Sequence, residues 1–189
     1  MTDNIFCDLS ALRHRGDNVI IGKTVRIRYP ELVSIGDNVI IDDFSYISTA
    51  LEIGDYVHVA AGAKFIGGRD STIHIGSFST LAPNVVLAAG SDDYIAGIAS
   101  PMVPRMYKGN VEIGTVMIAR HCIVGTNSTV LPNVCFHDGA AVGAQSLVKN
   151  DLDAWSLYGG VPARFLKSRN QSEIMRLETA YLKDMHDAR

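Results

Sequence analysis

The chain has 189 residues, 47% of them hydrophobic and 20% charged, with a formal net charge of -3. That balance excludes a protein drawn to nucleic acid or anionic membrane by bulk charge. No apolar run approaches the roughly 20 residues that a membrane-spanning helix needs. The opening MTDNIFCDLS is acidic where a secretory leader would be basic and then apolar, which predicts a cytoplasmic protein. Cys7, Cys122 and Cys135 are odd in number and lack CxxC spacing, so they read as free thiols.

Residues 1–18 are expected to form an irregular or short helical lead-in that ends near Gly16 and Asp17. From residue 19 a period of six takes over. Apolar anchors fall at Ile21, Ile27 and Val33, slip by two residues, and continue at Ile35, Ile41, Ile47, Ile53, Val59 and Phe65. They return at Ile75, Leu81 and Leu87, and again at Ile118, Val124, Val130, Phe136, Val142 and Val148. Four residues after most anchors the side chain is small or β-branched, as at Val25, Ser45, Ala63, Cys122 and Ser146. A helix cannot keep a period of six on one face, and a plain strand repeats every two residues. Hexapeptide periodicity points to a parallel β-helix in which each hexapeptide is one short strand and a turn.

Two stretches break the period. The first, Gly67-Gly68-Arg69-Asp70, reads as a reset of register. The second, residues 89–110, holds Gly90, Ser91, Asp92, Asp93, Tyr94, Pro101 and Pro104 and reads as a protruding loop. A long loop inside a repeat array is more often functional than idle. The repeats end near residue 160, and a terminal segment follows over 161–189. Within it, Ile174, Leu177, Tyr181, Leu182 and Met185 lie at helical spacing and predict a helix over residues 171–185. That helix packs on the coil or on a neighbouring subunit, or it caps the open end of the solenoid. Residues 1–189 are thus read as a single all-β domain with one C-terminal helix.

Three late motifs carry a family resemblance. They are Ile123-Val124-Gly125-Thr126-Asn127-Ser128-Thr129-Val130-Leu131-Pro132-Asn133-Val134, Val142-Gly143-Ala144-Gln145-Ser146-Leu147-Val148, and Tyr158-Gly159-Gly160-Val161-Pro162-Ala163-Arg164. With the repeats they resemble the left-handed hexapeptide acyltransferases, most closely the galactoside, maltose and xenobiotic O-acetyltransferase type. The resemblance implies a left-handed β-helix of triangular coils, about 18 residues each, assembled as a homotrimer with active sites between neighbouring coils. It implies acetyl-CoA as co-substrate, with its pantetheine held by backbone groups near Gly125, Ala144, Val161 and Pro162. Arg164, Lys167 and Arg169 would meet the phosphates through charge-assisted hydrogen bonds. The acceptor would be a sugar or sugar nucleotide, its hydroxyl acetylated in bacterial surface polysaccharide synthesis. N-acetylation of an amino-sugar nucleotide is the alternative.

The general base is the open point. The classical sugar acetyltransferases place a histidine just after a glycine at the start of the loop. Here that position is Ser91, within Ala89-Gly90-Ser91-Asp92-Asp93. Histidine suits acid–base work at neutral pH. His121, third after anchor Ile118, is expected to project outward at a turn and is the leading candidate. Asp92 and Asp93 are the others, as orienting carboxylates or as turn residues. Ser91 and Tyr94 are expected to contact the acceptor. Two other classes compete: a non-catalytic hexapeptide scaffold, and a zinc lyase of the γ-carbonic anhydrase type. The second would need converging histidines. His58 and His74 are 16 apart, as are His121 and His137, off the 18-residue stacking interval, so no metal ligand is assigned.

Overall fold

The computed structural model describes residues 4–187. Residues 1–3 of the expected lead-in and 188–189 of the terminal segment lie outside them. The chain winds into a three-faced parallel β-solenoid. One face is an eight-stranded sheet that runs from Ile20–Ile21 through Ile40–Ile41, His58–Val59, Thr80–Leu81, Ile123–Val124, Ala141–Val142 and Ser156–Gly159 to Arg164–Ser168. The other two faces share a ten-stranded sheet, because the strands Tyr46–Ile53 and Lys64–Ile75 run through the edge between them.

Every hexapeptide anchor is buried, from Ile21 to Val148, and so are the small residues four places later. Alternate residues of each short strand point to opposite sides, so Ile40, His58 and Ile123 face outward beside buried Ile41, Val59 and Val124. Two inward serines meet at one carbonyl: Ser128, from the preceding coil, and Ser146, from the same coil, donate to the Gly143 carbonyl at 2.9 and 2.8 Å, whereas buried Ser45 Oγ has no partner among the described residues. Burial pushes the Cys122 thiol up to about 12, so it stays protonated and acts as a small apolar filler.

Coil length is where the sequence departs from regularity. Stacked partners are 18 residues apart for Ile40 and His58, or Ile123 and Ala141. The interval is 20 between Ile20 and Ile40, 22 between His58 and Thr80, and 43 between Thr80 and Ile123. All three excesses fall on the same edge of the prism, where the two faces of the ten-stranded sheet meet. The first is the 3-10 turn Pro30–Leu32, the second is Gly67–Asp70, and the third is the long loop. We call this the insertion edge.

The expectations for the two ends of the solenoid are corrected here. The solenoid begins before residue 19, since His14–Arg15 already pairs with Ser34 and Ile35. The register reset expected at Gly67–Asp70 is present, and it lies inside one strand. Lys64–Ile75 is continuous, and the added residues are absorbed as register shifts against Ser48, Thr49 and Ala50. After Gly159 the chain does not simply leave the coil, because Arg164–Ser168 folds back antiparallel on Ser156–Gly159. The last element, α1 (Gln171–Asp187), lies along one edge of the prism and does not cap its end. Among the described residues, no helix is long and apolar enough to cross a membrane.

Candidate active site

The loop is rooted on the insertion edge by contacts that its sequence allows. Gly90–Ser91 pairs antiparallel with Glu112–Ile113 and closes the loop as a hairpin. Gly90 lies over the previous coil so closely that an added Cβ would meet the Gly67 carbonyl oxygen at 2.9 Å. On the exit side, the Gly114 N–H donates to Ser71 Oγ at 3.3 Å, and the Ser71 carbonyl accepts from buried Thr49 Oγ1 at 2.6 Å.

Asp92 and Asp93 stand in different surroundings. The Asp93 carboxylate accepts from the Ile95, Ala96 and Asn110 N–H groups, at 2.8, 3.1 and 2.8 Å. These bonds tie the two limbs of the loop together. They hold its carboxyl below the usual carboxylate range, the Asn110 N–H having the largest effect. A carboxylate so engaged is a poor proton acceptor. The Asp92 side chain is exposed and meets no hydrogen-bond partner among the described residues. Ser91 is half-buried, and Tyr94 is 90% exposed at the loop tip.

His121 sits on a different edge, and its expected outward projection is corrected. Its side chain is only 10% exposed. The ring stacks on Phe78 at 5.3 Å between centroids and tilts over Trp155 at 5.9 Å. Its Nε2 bonds Glu178 of α1 at 2.8 Å, and Arg120 also donates to Glu178. The cause is local geometry. Asn38, Tyr56, Phe78, His121 and Trp155 each follow a buried anchor by three residues and adopt positive φ. This left-handed turn lays each side chain along the edge, over the one in the next coil. Tyr56 stacks on Phe78 at 4.8 Å and meets Tyr181 of α1 edge-on at 5.5 Å. This ladder edge is the dock for α1.

The residues expected to hold the cofactor divide. Gly125 and Ala144 are neighbours on the third edge, where a Cβ on Gly125 would meet the Ala144 nitrogen at 2.5 Å. The Ala144 N–H has no protein acceptor among the described residues. Gly125, Lys167 and Arg169 line one groove of about 480 Å³ together with Ile123, Leu157 and Ile174. Arg164 lines a separate hollow with Lys149, Asp151 and Tyr158. Val161 is exposed and Pro162 half-buried in the segment between the last two strands. Arg169 has a structural engagement besides lining the groove: its Nη1 donates to the His121 and Gly139 carbonyls at 2.7 and 2.6 Å. Those bonds fasten α1 to the ladder edge and leave that nitrogen unavailable to a phosphate.

Among the described residues, the histidines do not converge. His58 pairs with Asp42, His74 with Glu52 and His121 with Glu178, three separate pairs.

A family model described as bacterial transferase hexapeptide (six repeats) matches residues 33–67. The chain is 36% identical over 171 residues to a dTDP-4-amino-4,6-dideoxy-D-glucose acyltransferase of Escherichia coli, covering 88% of this chain and 86% of that protein. The chain belongs to the hexapeptide-repeat acyltransferases. Among solved structures it matches AntD, an N-acyltransferase from Bacillus cereus in complex with dTDP and 3-hydroxybutyryl-CoA. The TM-score is 0.89 at 38% identity, covering 97% of this chain and 99% of that chain. A mutant of AntD with dTDP-4-amino-4,6-dideoxyglucose and coenzyme A matches with TM-score 0.88 and 37% identity, over 96% and 98% of the two chains. A putative lipopolysaccharide biosynthesis O-acetyl transferase of Escherichia coli K12, WbbJ, is 30% identical over 66% of this chain and 61% of its own length.

This acyltransferase holds two groups of residues whose tasks the sequence reading missed. Glu178 and Trp155 complete the ladder edge. The third-residue rule after each anchor is the signal that would have found Trp155, because Leu152 is the last buried anchor of that face. Arg28, Tyr29 and Arg69 gather on the insertion edge, and only the coil intervals place them there.

Proposed function

We propose that this enzyme transfers an acyl group from coenzyme A to the amino group of a deoxy-amino-sugar nucleotide. The observation that carries the reading is the match, over nearly the whole chain, to an acyltransferase named for dTDP-4-amino-4,6-dideoxy-D-glucose and to an N-acyltransferase solved in complex with that sugar nucleotide. It is supported by the loop root, which offers Ser91 and the unengaged carboxylate of Asp92 and no histidine. An amine acceptor needs less help than a hydroxyl. Once neutral, its nitrogen lone pair attacks the thioester carbonyl carbon directly. A carbon–nitrogen bond forms, the carbon–sulfur bond breaks, and the proton lost by nitrogen leaves with the CoA thiolate as a thiol. Asp92 accepts a hydrogen bond from the amine, orients it, and stabilises the positive charge that develops on nitrogen. Asp93 holds the loop that carries Asp92.

On the donor side, the Ala144 N–H supports a pantetheine amide on the third edge, and Lys167 and Arg164 are the cations left for CoA phosphates. The loop tip, with Tyr94, Ile95, Met102 and Met106 all at least 80% exposed, supports a homotrimer in which a neighbour covers it. The reaction is cytoplasmic in this reading, where acyl-CoA and nucleotide sugars are available.

O-acetylation remains a second reading, favoured by the WbbJ match. Thiol release separates the two. With dTDP-4-amino-4,6-dideoxyglucose, acetyl-CoA and 3-hydroxybutyryl-CoA are tested as donors, beside the same sugar nucleotide bearing a hydroxyl in place of the amine. Amine-dependent release is expected. Release with the hydroxyl sugar alone would overturn the N-acyl reading.

A further inference from the structure

Insertions in a repeat protein gather on the face that binds, and the insertion edge carries a cluster with no task so far. Arg26 and Tyr46 are partners on adjacent outward rungs of one face. At the edge itself, Arg28 and Tyr29 lead into the turn Pro30–Leu32, and Arg69 reaches back from the inserted Gly67–Asp70. The Arg28 and Arg69 guanidinium carbons lie 5.4 and 5.2 Å from the centre of the Tyr29 ring. The Arg26 guanidinium lies 6.0 Å from the centre of the Tyr46 ring. Arg69 pairs with Glu31 at 2.9 Å. Among the described residues, Arg26 and Arg28 have no carboxylate partner. Lys64, on the next rung, turns away and donates to the Gly62 carbonyl at 3.1 Å.

Isolated surface arginines are ordinary. Here three of them are exposed, each lies on a tyrosine ring, and two share one ring. A guanidinium held against an aromatic face keeps its fork of N–H donors oriented and loses less freedom when it binds an oxyanion. Two such forks at one ring suit a diphosphate, whose oxygens accept paired charge-assisted bonds. A half-buried tyrosine on the adjoining face suits a base, which stacks on aromatic rings with little regard to sequence. Direction follows from the coil order. Gly90 rests on Gly67, so the loop root begins about one strand spacing, ~4.8 Å, beyond the segment that carries Arg69, and Ser91 and Asp92 follow it.

We propose that the insertion edge seats the nucleoside diphosphate of the acceptor, with Arg28 and Arg69 on the phosphates and Tyr46 under the base. The sugar then extends to Asp92. This seat rests on the sugar-nucleotide reading above and names the residues that recognise its nucleotide half. Glu31 competes with the phosphates for Arg69.

The test is calorimetric titration of the full-length protein with dTDP, dTMP and CoA, each alone. The double variant Arg28→Gln/Arg69→Gln is expected to weaken dTDP binding by about tenfold or more and to leave CoA binding within about twofold. In wild type dTDP binds more tightly than dTMP, and in the double variant that gap closes. Glu31→Gln is expected to tighten dTDP binding about two- to fivefold by freeing Arg69, an effect that damage to the fold would not produce. Unchanged dTDP affinity in both variants overturns the seat and leaves the acceptor reading standing. A loss of CoA affinity with dTDP binding intact also overturns it, by assigning the cluster to the donor. Wild-type protein that binds CoA and ignores dTDP sinks the sugar-nucleotide reading itself, and the seat with it.

Discussion

The insertion edge and the ladder edge are built from the same hexapeptide and do opposite things. On the ladder edge every coil turns at the same place, with a left-handed residue three positions after the anchor. Repetition there stacks side chain on side chain, from Tyr56 through Phe78 and His121 to Trp155, and the column receives α1. On the insertion edge no two successive turns match, and extra residues escape the column into solvent. A regular edge satisfies its own groups, whereas an irregular one leaves charges and a loop root for something else to satisfy. The histidine that best fits a general base by residue type therefore lies where its ring is already bonded, and the exposed carboxylate lies where the regularity fails.

The sharpest way to break the ladder is at Gly139. It has φ +69, and a Cβ there would meet the Trp155 indole at 2.2 Å. Gly139→Val adds backbone strain to a collision with the indole ring, which must leave its place in the column. The expected loss is about 3 kcal/mol, read as a fall of about 6–12 °C in melting temperature. An unchanged melting temperature would mean that Trp155 does not lie in the column.

Asp92→Asn tests the insertion edge. Turnover is expected to fall about 10²-fold, with the melting temperature unchanged, because the side chain has no partner to lose. Asp93→Asn is its control. It keeps the shape but loses the charge that three N–H groups face, so it should loosen the loop and raise KM along with lowering kcat. Equal kinetic effects of the two variants would erase the division of labour between them.

His121→Ala separates the two edges most directly. Loss of the ring removes a stacking partner from Phe78 and a bond from Glu178, for an expected cost of about 2 kcal/mol. Turnover with saturating substrates is expected to stay within about threefold of wild type. A hundredfold loss of turnover without loss of stability would return His121 to the chemistry.

The solenoid itself was legible in the sequence because burial acts on one residue in six, and every anchor named from the periodicity is buried. The edges were not legible to the same degree. An interruption shows in sequence as a broken period, but which edge it occupies depends on counting coils on both sides of it. Gly67-Gly68 read as a reset of register because glycine punctuates strands, and the register does shift there, but the period alone did not show that one strand continues through the shift. His121 read as outward because an ordinary turn residue is outward, and only the recurrence of Tyr56, Phe78 and Trp155 at the same offset reveals the column. The loop was readable as a loop. Its internal brace was not, because Asp92 and Asp93 are chemically identical until Asn110 is brought back beside one of them.

The smallest expected effect is at the glycine of the insertion edge that corresponds to the break. Gly68 has φ +79, like Gly139 a left-handed value, but an added Cβ would meet nothing within 4 Å. Gly68→Ala therefore isolates backbone strain from collision. Strain costs about 1 kcal/mol, partly offset because alanine restricts the unfolded chain more than glycine does. The net loss should be at most about 1 kcal/mol, a third of that expected at Gly139. A similar loss at both glycines would mean that the insertion edge is packed as closely as the ladder. The open space would then be filled by another part of the assembly, and the edge would be no less committed than its counterpart.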